Sequence, residues 1–195
     1  LLRRPDEASV SDQVAPSVYG RKLTAQRAGK LLQRYWDAAG AEECGQAFGW
    51  TKPPVAARHG EVAYEFSVPS PLPAGEQPPA ADGGPARGGN RTVVGFGFLH
   101  FDTKSAEDDE AALTYGVFPE YRRRGYWGVV VGWLVRRATS LGADRVTQIV
   151  FTDNAEHLDR VMRRLVDGGS WGYAGEVWYP RQYSYFVLDV DGEER

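Results

Sequence analysis

The chain has 195 residues, of which 42% are hydrophobic and 25% charged, with a formal net charge of −3 and one cysteine, Cys44. This length suits one globular domain with a core, and a single cysteine excludes an intrachain disulfide and any metal site built on several cysteines. The acidic balance argues against a general nucleic-acid binder, and no stretch approaches the roughly 18 apolar residues that a membrane span requires.

The first half of the chain predicts two helices and one strand. Residues 23–36 carry an apolar stripe at helical spacing after Thr24, a residue type suited to an N-cap; the stripe consists of Ala28, Leu31, Leu32, Tyr35 and Trp36. A shorter helix is expected from Ala41 to Phe48, and "GEVAYEFSV" (60–68) alternates like a strand. The opening "LLRR" is compatible with a short strand. Residues 69–90 are dominated by Pro, Gly and Ala, which predicts a mobile connection.

The second half predicts more strands and two helices. Strands are expected at 91–101, 111–118, 145–151, 172–179 and 183–190, and helices at 126–141 and 154–169. The acidic run "EDDE" (107–110) is predicted to lie in a hairpin-like loop. The strand–helix–strand unit over 111–151 should be a right-handed crossover, which makes its two strands parallel. The order of elements predicts a mixed α/β domain.

The stretch "PEYRRRGYWG" (119–128) joins a predicted strand to a predicted helix. Backbone amides at a helix start have no intrahelical partner and lie at the positive end of the helix dipole. Gly125 allows a ligand to approach the backbone, and Arg122, Arg123 and Arg124 add positive charge. The stretch therefore favours a phosphate site, with a basic helix cap at the surface as the alternative.

The segment "GVFPEYRRRGYWGVVVGWLVRRATSLGADRVTQIVFTDNAEHLDRVMRRL" resembles the acyl-CoA-binding core of the GCN5-related N-acetyltransferases (GNAT family). In that family a strand ending in V-x-P-x-Y leads to the signature [RQ]-x-x-G-x-[GA], whose amides hold the CoA pyrophosphate. The resemblance implies that acetyl-CoA is the acyl donor and contacts Arg122, Arg123, Arg124, Gly125, Tyr126, Trp127 and Gly128. The chain departs from the signature at Trp127, where the family has Gly or Ala, and Gly128 follows one place later.

The resemblance also implies the remaining features of the donor site. The fold would be a mixed, mostly antiparallel central sheet with a splayed parallel pair, flanked by helices. Strand edges in that gap, such as Val117, would pair with the pantetheine amides. Asn154, which follows the strand 145–151, would lie beside the pantetheine arm and is also a plausible N-cap.

Catalytic groups are less clearly marked. The family often has a tyrosine acid seven residues after that asparagine, but this chain has Val161 there, so Tyr173, Tyr179 or water would protonate the thiolate. Glu110 best matches the family's base, at the start of the strand before the arginine loop. Other candidates are Glu61, Glu65, His100 and Asp102, and a solvated loop is the alternative for "EDDE". The acidic cluster favours an amine acceptor, either a small molecule or a macromolecule.

The sequence therefore predicts a cytoplasmic acyl-CoA-dependent N-acetyltransferase without a metal. One alternative is a non-catalytic acyl-CoA-binding module, since the usual tyrosine is missing. Another is a nucleic-acid-binding protein that uses its arginines, namely Arg122–Arg124, Arg136, Arg137, Arg163 and Arg164. A homodimer is left open.

Overall fold

The computed structural model describes residues 17–54, 61–70, 91–101, 110–151, 171–177 and 183–189. Its strands are β1 (Tyr19–Lys22), β2 (Glu61–Pro69), β3 (Arg91–Phe101), β4 (Glu110–Val117), β5 (Arg145–Phe151), β6 (Gly172–Val177) and β7 (Tyr183–Asp189). Its helices are α1 (Ala25–Ala39), α2 (Ala41–Phe48) and α3 (Tyr126–Ser140), with a 3-10 turn at Pro119–Tyr121. The predicted strand "LLRR", residues 71–90 of the predicted connection 69–90, and the helix 154–169 lie outside these residues. Pro69, the first residue of that connection, belongs to β2.

The strands form a sheet in the order β1-β2-β3-β4-β5-β7-β6. Each neighbouring pair is antiparallel except β4 and β5, which are parallel. The predicted mixed sheet with one parallel pair is therefore confirmed. β1 was not predicted, because its four residues are mostly exposed and carry no apolar alternation. Glu110 is the first residue of β4, so its expected position at the start of that strand is confirmed and the loop predicted for 107–110 does not include it.

The helices pack on the two faces of the sheet. α1 begins as predicted at Thr24, whose hydroxyl accepts from the Arg27 amide at 3.4 Å. Its buried Tyr35 packs edge-on against Phe96 of β3, with ring centroids 4.8 Å apart. On the opposite face, α3 packs its buried Leu134 in a core shared with Leu113 and Val146 of β4 and β5. No helix in the described part of the chain is long and apolar enough to cross a membrane.

The parallel strands β4 and β5 part halfway along their length. They pair from Glu110 and Arg145 up to Leu113 and Gln148. Beyond that point β4 still pairs with β3 as far as Val117, while β5 pairs with β7. A gap therefore opens between β4 and β5 towards the carboxyl end of β4, and the predicted splay is confirmed.

Candidate functional site

The loop between β4 and α3 presents backbone amides at a helix start. Arg123 and Gly125 adopt left-handed backbone conformations, with φ of 62° and 79°. Gly125 is the N-cap of α3, and this N-cap makes no side-chain hydrogen bond to the helix. Because the first amides of a helix lack intrahelical carbonyl partners and lie at the positive end of its dipole, a helix start of this kind is suited to an anion.

The same loop leaves space for a ligand. Gly125 and Gly128 are exposed, and a Cβ placed on either would meet no atom within 4 Å. The left-handed φ of Gly125 also favours glycine over residues that carry a Cβ. The residues of the loop thus fit a phosphate group that approaches the backbone closely.

Arg122 turns away from this open side of the loop. Its Nη1 donates to Glu43 Oε2 of α2 at 2.8 Å, and its Nη2 donates to Glu43 Oε1 and to the Tyr35 hydroxyl, the latter at 2.9 Å. Its Nε donates to the Val117 carbonyl at 3.1 Å, and its backbone amide donates to Pro119 O at 3.3 Å. Arg122 therefore ties the loop to α1 and α2, and we call this cluster of Arg122, Glu43 and Tyr35 the arginine clasp.

The arginine clasp shifts the ionisation of its members and of Cys44 beside it. Hydrogen bonds from its guanidinium to Glu43 raise the pKa of Arg122, so that this side chain stays charged. Burial raises the pKa of Tyr35, and Arg122 offsets part of that rise. Burial, together with the Glu43 carboxylate, raises the pKa of Cys44 to about 11. Tyr35 and Cys44 are therefore neutral at physiological pH.

The other two arginines of the loop remain at the surface. Arg123 and Arg124 are exposed, and the Arg124 guanidinium lies 5.6 Å from the ring centroid of Tyr121. Tyr126, the first residue of α3, is half-buried against the core. The positive charge at the mouth of the loop thus comes from Arg123 and Arg124.

Trp127, the departure from the family signature, points its side chain inward. Its ring packs against the core, and its Nε1 donates to the Tyr115 hydroxyl of β4 at 3.1 Å. Gln148 Nε2 of β5 donates to the same hydroxyl at 2.5 Å. The indole therefore lies on the inner side of α3 and leaves the outer side of the loop open.

The backbone of Val117 faces the gap. The next residue, Phe118, donates its amide to Val94 O of β3, and the Gly116 carbonyl also lies against β3. Since backbone groups alternate between the two edges of a strand, those of Val117 face β5. Its carbonyl accepts from Arg122, so its amide is the group left for a ligand in the gap.

Several candidate bases share the face of the sheet that carries α1 and α2. The register places Glu61 opposite His100, His100 opposite Ala112, and Ala112 opposite Thr147, so these residues share a face. Glu110 lies on that face too, and its Oε1 accepts from the Thr147 hydroxyl at 3.0 Å. We call this set of Glu61, His100, Glu110 and Thr147 the polar row.

Other predicted catalytic residues are not brought to the polar row. Glu65 pairs instead with Arg21 at 2.5 Å. Tyr173 lies on the edge strand β6, half-exposed, with its ring centroid 5.7 Å from that of Phe186. Phe186 belongs to the α3-side core, so Tyr173 is on the other face of the sheet from Glu110. Asp102, Asn154 and Tyr179 lie outside the described residues.

Sequence reasoning missed the partners that hold the site together. Tyr35 and Glu43 bind Arg122 from positions 87 and 79 residues away, a pairing that no local pattern reveals. Gln148 could have been noticed from the sequence, since it is the one side-chain amide in the mainly apolar strand "RVTQIVF". In the described part of the chain, no group of three or more His, Cys, Asp or Glu residues is arranged to hold a metal ion.

Comparison with known proteins establishes the fold. No protein-family model and no curated protein sequence matches this chain. Among solved structures, the spermidine N-acetyltransferase from Vibrio cholerae in complex with CoA and spermine matches with a TM-score of 0.58 at 9% identity, over 88% of this chain and 95% of that chain. The GNAT domain of S. lividans PAT matches with a TM-score of 0.56 at 14% identity, over 88% and 89%. The chain has the fold of the GNAT acetyltransferases, which confirms the resemblance at the level of the fold.

Proposed function

We propose that this protein is an N-acyltransferase that moves a short acyl group, with acetyl as the first candidate, from acyl-CoA to an amine. The observation that carries the proposal is the alignment of three features along β4. The exposed helix start at Gly125 lies at one end, the gap between β4 and β5 follows, and Glu110 lies at the other end.

The loop residues would hold the CoA phosphates. Backbone amides from Arg123 to Gly128 supply the donors, and the side chains of Arg123 and Arg124 supply charge. The amide of Val117 would pair with the pantetheine arm in the gap. Asn154 would lie beside the arm, and Arg122 would act by holding the loop through the arginine clasp. Bound there, acyl-CoA supplies a thioester whose thiol is a good leaving group.

The polar row would act on the amine. A protonated amine must lose a proton before its lone pair can attack, and Glu110 would take that proton directly or through one water. As the C–N bond forms and the C–S bond breaks, the attacking nitrogen releases its second proton to water, and the thiolate takes up a proton from Tyr173, Tyr179 or water. Thr147 donates to Glu110 and so fixes the orientation of its carboxylate.

The acceptor we propose is a small cationic amine. Glu61 and Glu110 place carboxylates on the face that a second substrate would reach, and carboxylates attract ammonium groups. One solved protein with the same fold was crystallised with CoA and spermine. We also propose a cytoplasmic location, where acyl-CoA is available and a lone thiol such as Cys44 stays reduced.

The test is a thiol-release assay with acetyl-CoA and a panel of amines, run beside thermal unfolding with and without acetyl-CoA. An acyltransferase releases CoA thiol in the presence of an amine, and the bound donor raises the melting temperature by linkage. A melting shift without thiol release for any amine would instead support the non-catalytic acyl-CoA-binding module. No shift at millimolar acetyl-CoA would overturn both.

A further inference from the structure

Gln148 is a buried polar side chain in an otherwise apolar strand. It lies on β5 between Val146 and Val150, which both belong to the core under α3. Its relative exposure is 3%, so water is almost fully excluded from its amide. A buried amide in such surroundings destabilises the protein unless both of its polar atoms are paired.

The amide of Gln148 has a partner on one side only. Its Nε2 donates to the Tyr115 hydroxyl across the two strands at 2.5 Å. Its Oε1 is buried and has no hydrogen-bond partner among the described residues. The described part of the chain thus holds an acceptor for which it supplies no donor.

The unpaired oxygen lies where β4 and β5 separate. Leu113 and Gln148 form the last pair of the two strands, and Tyr115 follows on the part of β4 that borders the gap. Trp127, in the first turn of α3, bonds the same Tyr115 hydroxyl. The Tyr115 hydroxyl therefore links the Gln148 amide to the first turn of the helix whose start would form the phosphate site.

We propose that Gln148 Oε1 accepts a hydrogen bond from an amide N–H of the pantetheine arm of acyl-CoA, an inference that rests on the proposed function. Pantetheine carries secondary amides, and an N–H in the gap would give the buried oxygen the donor it lacks. Gln148 is then a donor-binding residue whose side chain, unlike the loop amides, recognises the arm rather than the phosphates.

The experiment compares Gln148→Met with the unmodified protein by calorimetry, using CoA and adenosine 3′,5′-bisphosphate as separate ligands. Methionine keeps the length of the side chain and removes both polar atoms. CoA should bind about tenfold more weakly, as expected for one lost hydrogen bond. The bisphosphate, which lacks the arm, should bind equally well to both proteins. Gln33→Met, at an exposed position of α1, is the matched control and should bind both ligands normally.

Each other outcome has a distinct meaning. If the unmodified protein binds neither ligand, the proposed function fails. If Gln148→Met binds CoA as tightly as the unmodified protein, the inference is overturned while the proposed function stands. Equal weakening for both ligands would mean a purely structural role and would also overturn it. Should Gln148→Met fail to fold, Gln148→Asn retracts the amide by one methylene and should show the same selective loss.

Discussion

The two ends of β4 present polar groups in different ways. At the carboxyl end, the site consists of backbone amides shaped by Arg123 and Gly125, with two exposed arginines around them. At the amino end, the site consists of side chains, with Glu110 bonded to Thr147 and on the same face of the sheet as His100. Under the proposed function, binding at the first end would depend on main-chain shape, and chemistry at the second end would depend on individual functional groups.

This difference determines which substitutions matter at each end. A backbone site tolerates changes of side chain but fails when bulk or negative charge enters the space above it. A side-chain site is more sensitive to the size of its own side chains, and it fails when its proton acceptor is lost. Substitutions at the two ends should therefore separate donor binding from turnover.

The largest effect is expected for Gly125→Glu. This change places a side chain on a left-handed residue and a negative charge where phosphate would lie, so acetyl-CoA binding should fall at least 100-fold. The measurement is the acetyl-CoA-induced rise in melting temperature, which should vanish. Gly142→Glu, also at positive φ but at the other end of α3, controls for backbone strain and should keep the shift. A preserved shift in Gly125→Glu would place the phosphates elsewhere.

Glu110→Gln should lower turnover by about 100-fold while donor binding stays unchanged. The amide keeps the size of the side chain and cannot accept the amine proton, and loss of a general base has an effect of this order. The measurements are kcat with the best amine and the acetyl-CoA melting shift. Near-normal turnover would move the base to His100 or Glu61, which share the polar row.

Arg122→Met should act mainly on stability. It leaves the Glu43 carboxylate and the Tyr35 hydroxyl without their shared donor, and because Arg122 and Glu43 are both about a third exposed, the loss should be about 1–2 kcal/mol. The free energy of unfolding in urea measures this. Arg124→Met, at the exposed neighbour, should change it by less than about 0.5 kcal/mol. Equal effects for the two variants would mean that the arginine clasp contributes little.

The effect of Cys44 is the smallest at physiological pH, because it emerges only as pH rises above about 8.5. Cys44 has a pKa of about 11 in the folded protein, above its value in the unfolded chain, so the folded state keeps a proton that the unfolded state loses. Stability from this group is complete below about pH 8.5 and declines as pH rises towards 11, by about 3 kcal/mol. Unfolding of the native protein and of Cys44→Ala across this range should show a shallower decline in the variant. Parallel curves would contradict a buried, neutral thiol.

Much of the fold could be predicted because local sequence patterns specify the helices and strands. The ranges of α2, β3 and β5 agree with expectation, since each has a clear apolar period and clear ends. The splay followed from a resemblance over about 50 residues. What could not be predicted depends on contacts distant in sequence. The three arginines of the loop look alike in the sequence, yet the structure turns Arg122 inward because Glu43 of α2 lies beneath it.

The polar row could not be predicted for the same reason, since its residues come from strands that are distant in sequence. Glu61 and His100 are candidates on separate strands, and only strand register shows that they face each other and lie on the same face as Glu110. Sequence alone also gave no reason to prefer one face of the sheet for Tyr173. The face of the sheet on which Tyr173 lies follows from its pairing with Phe186, and the sequence of β6 itself does not indicate it.

The gap between β4 and β5 has a kinetic consequence. It joins the side of the sheet that carries α3, where the donor would enter, to the side that carries α1, α2 and the polar row. Because the two substrates would approach from opposite sides, neither has to leave before the other arrives. Initial rates measured at several fixed concentrations of amine should then give intersecting double-reciprocal lines, the pattern of a ternary complex. Parallel lines would indicate instead that the acyl group passes through a covalent enzyme intermediate.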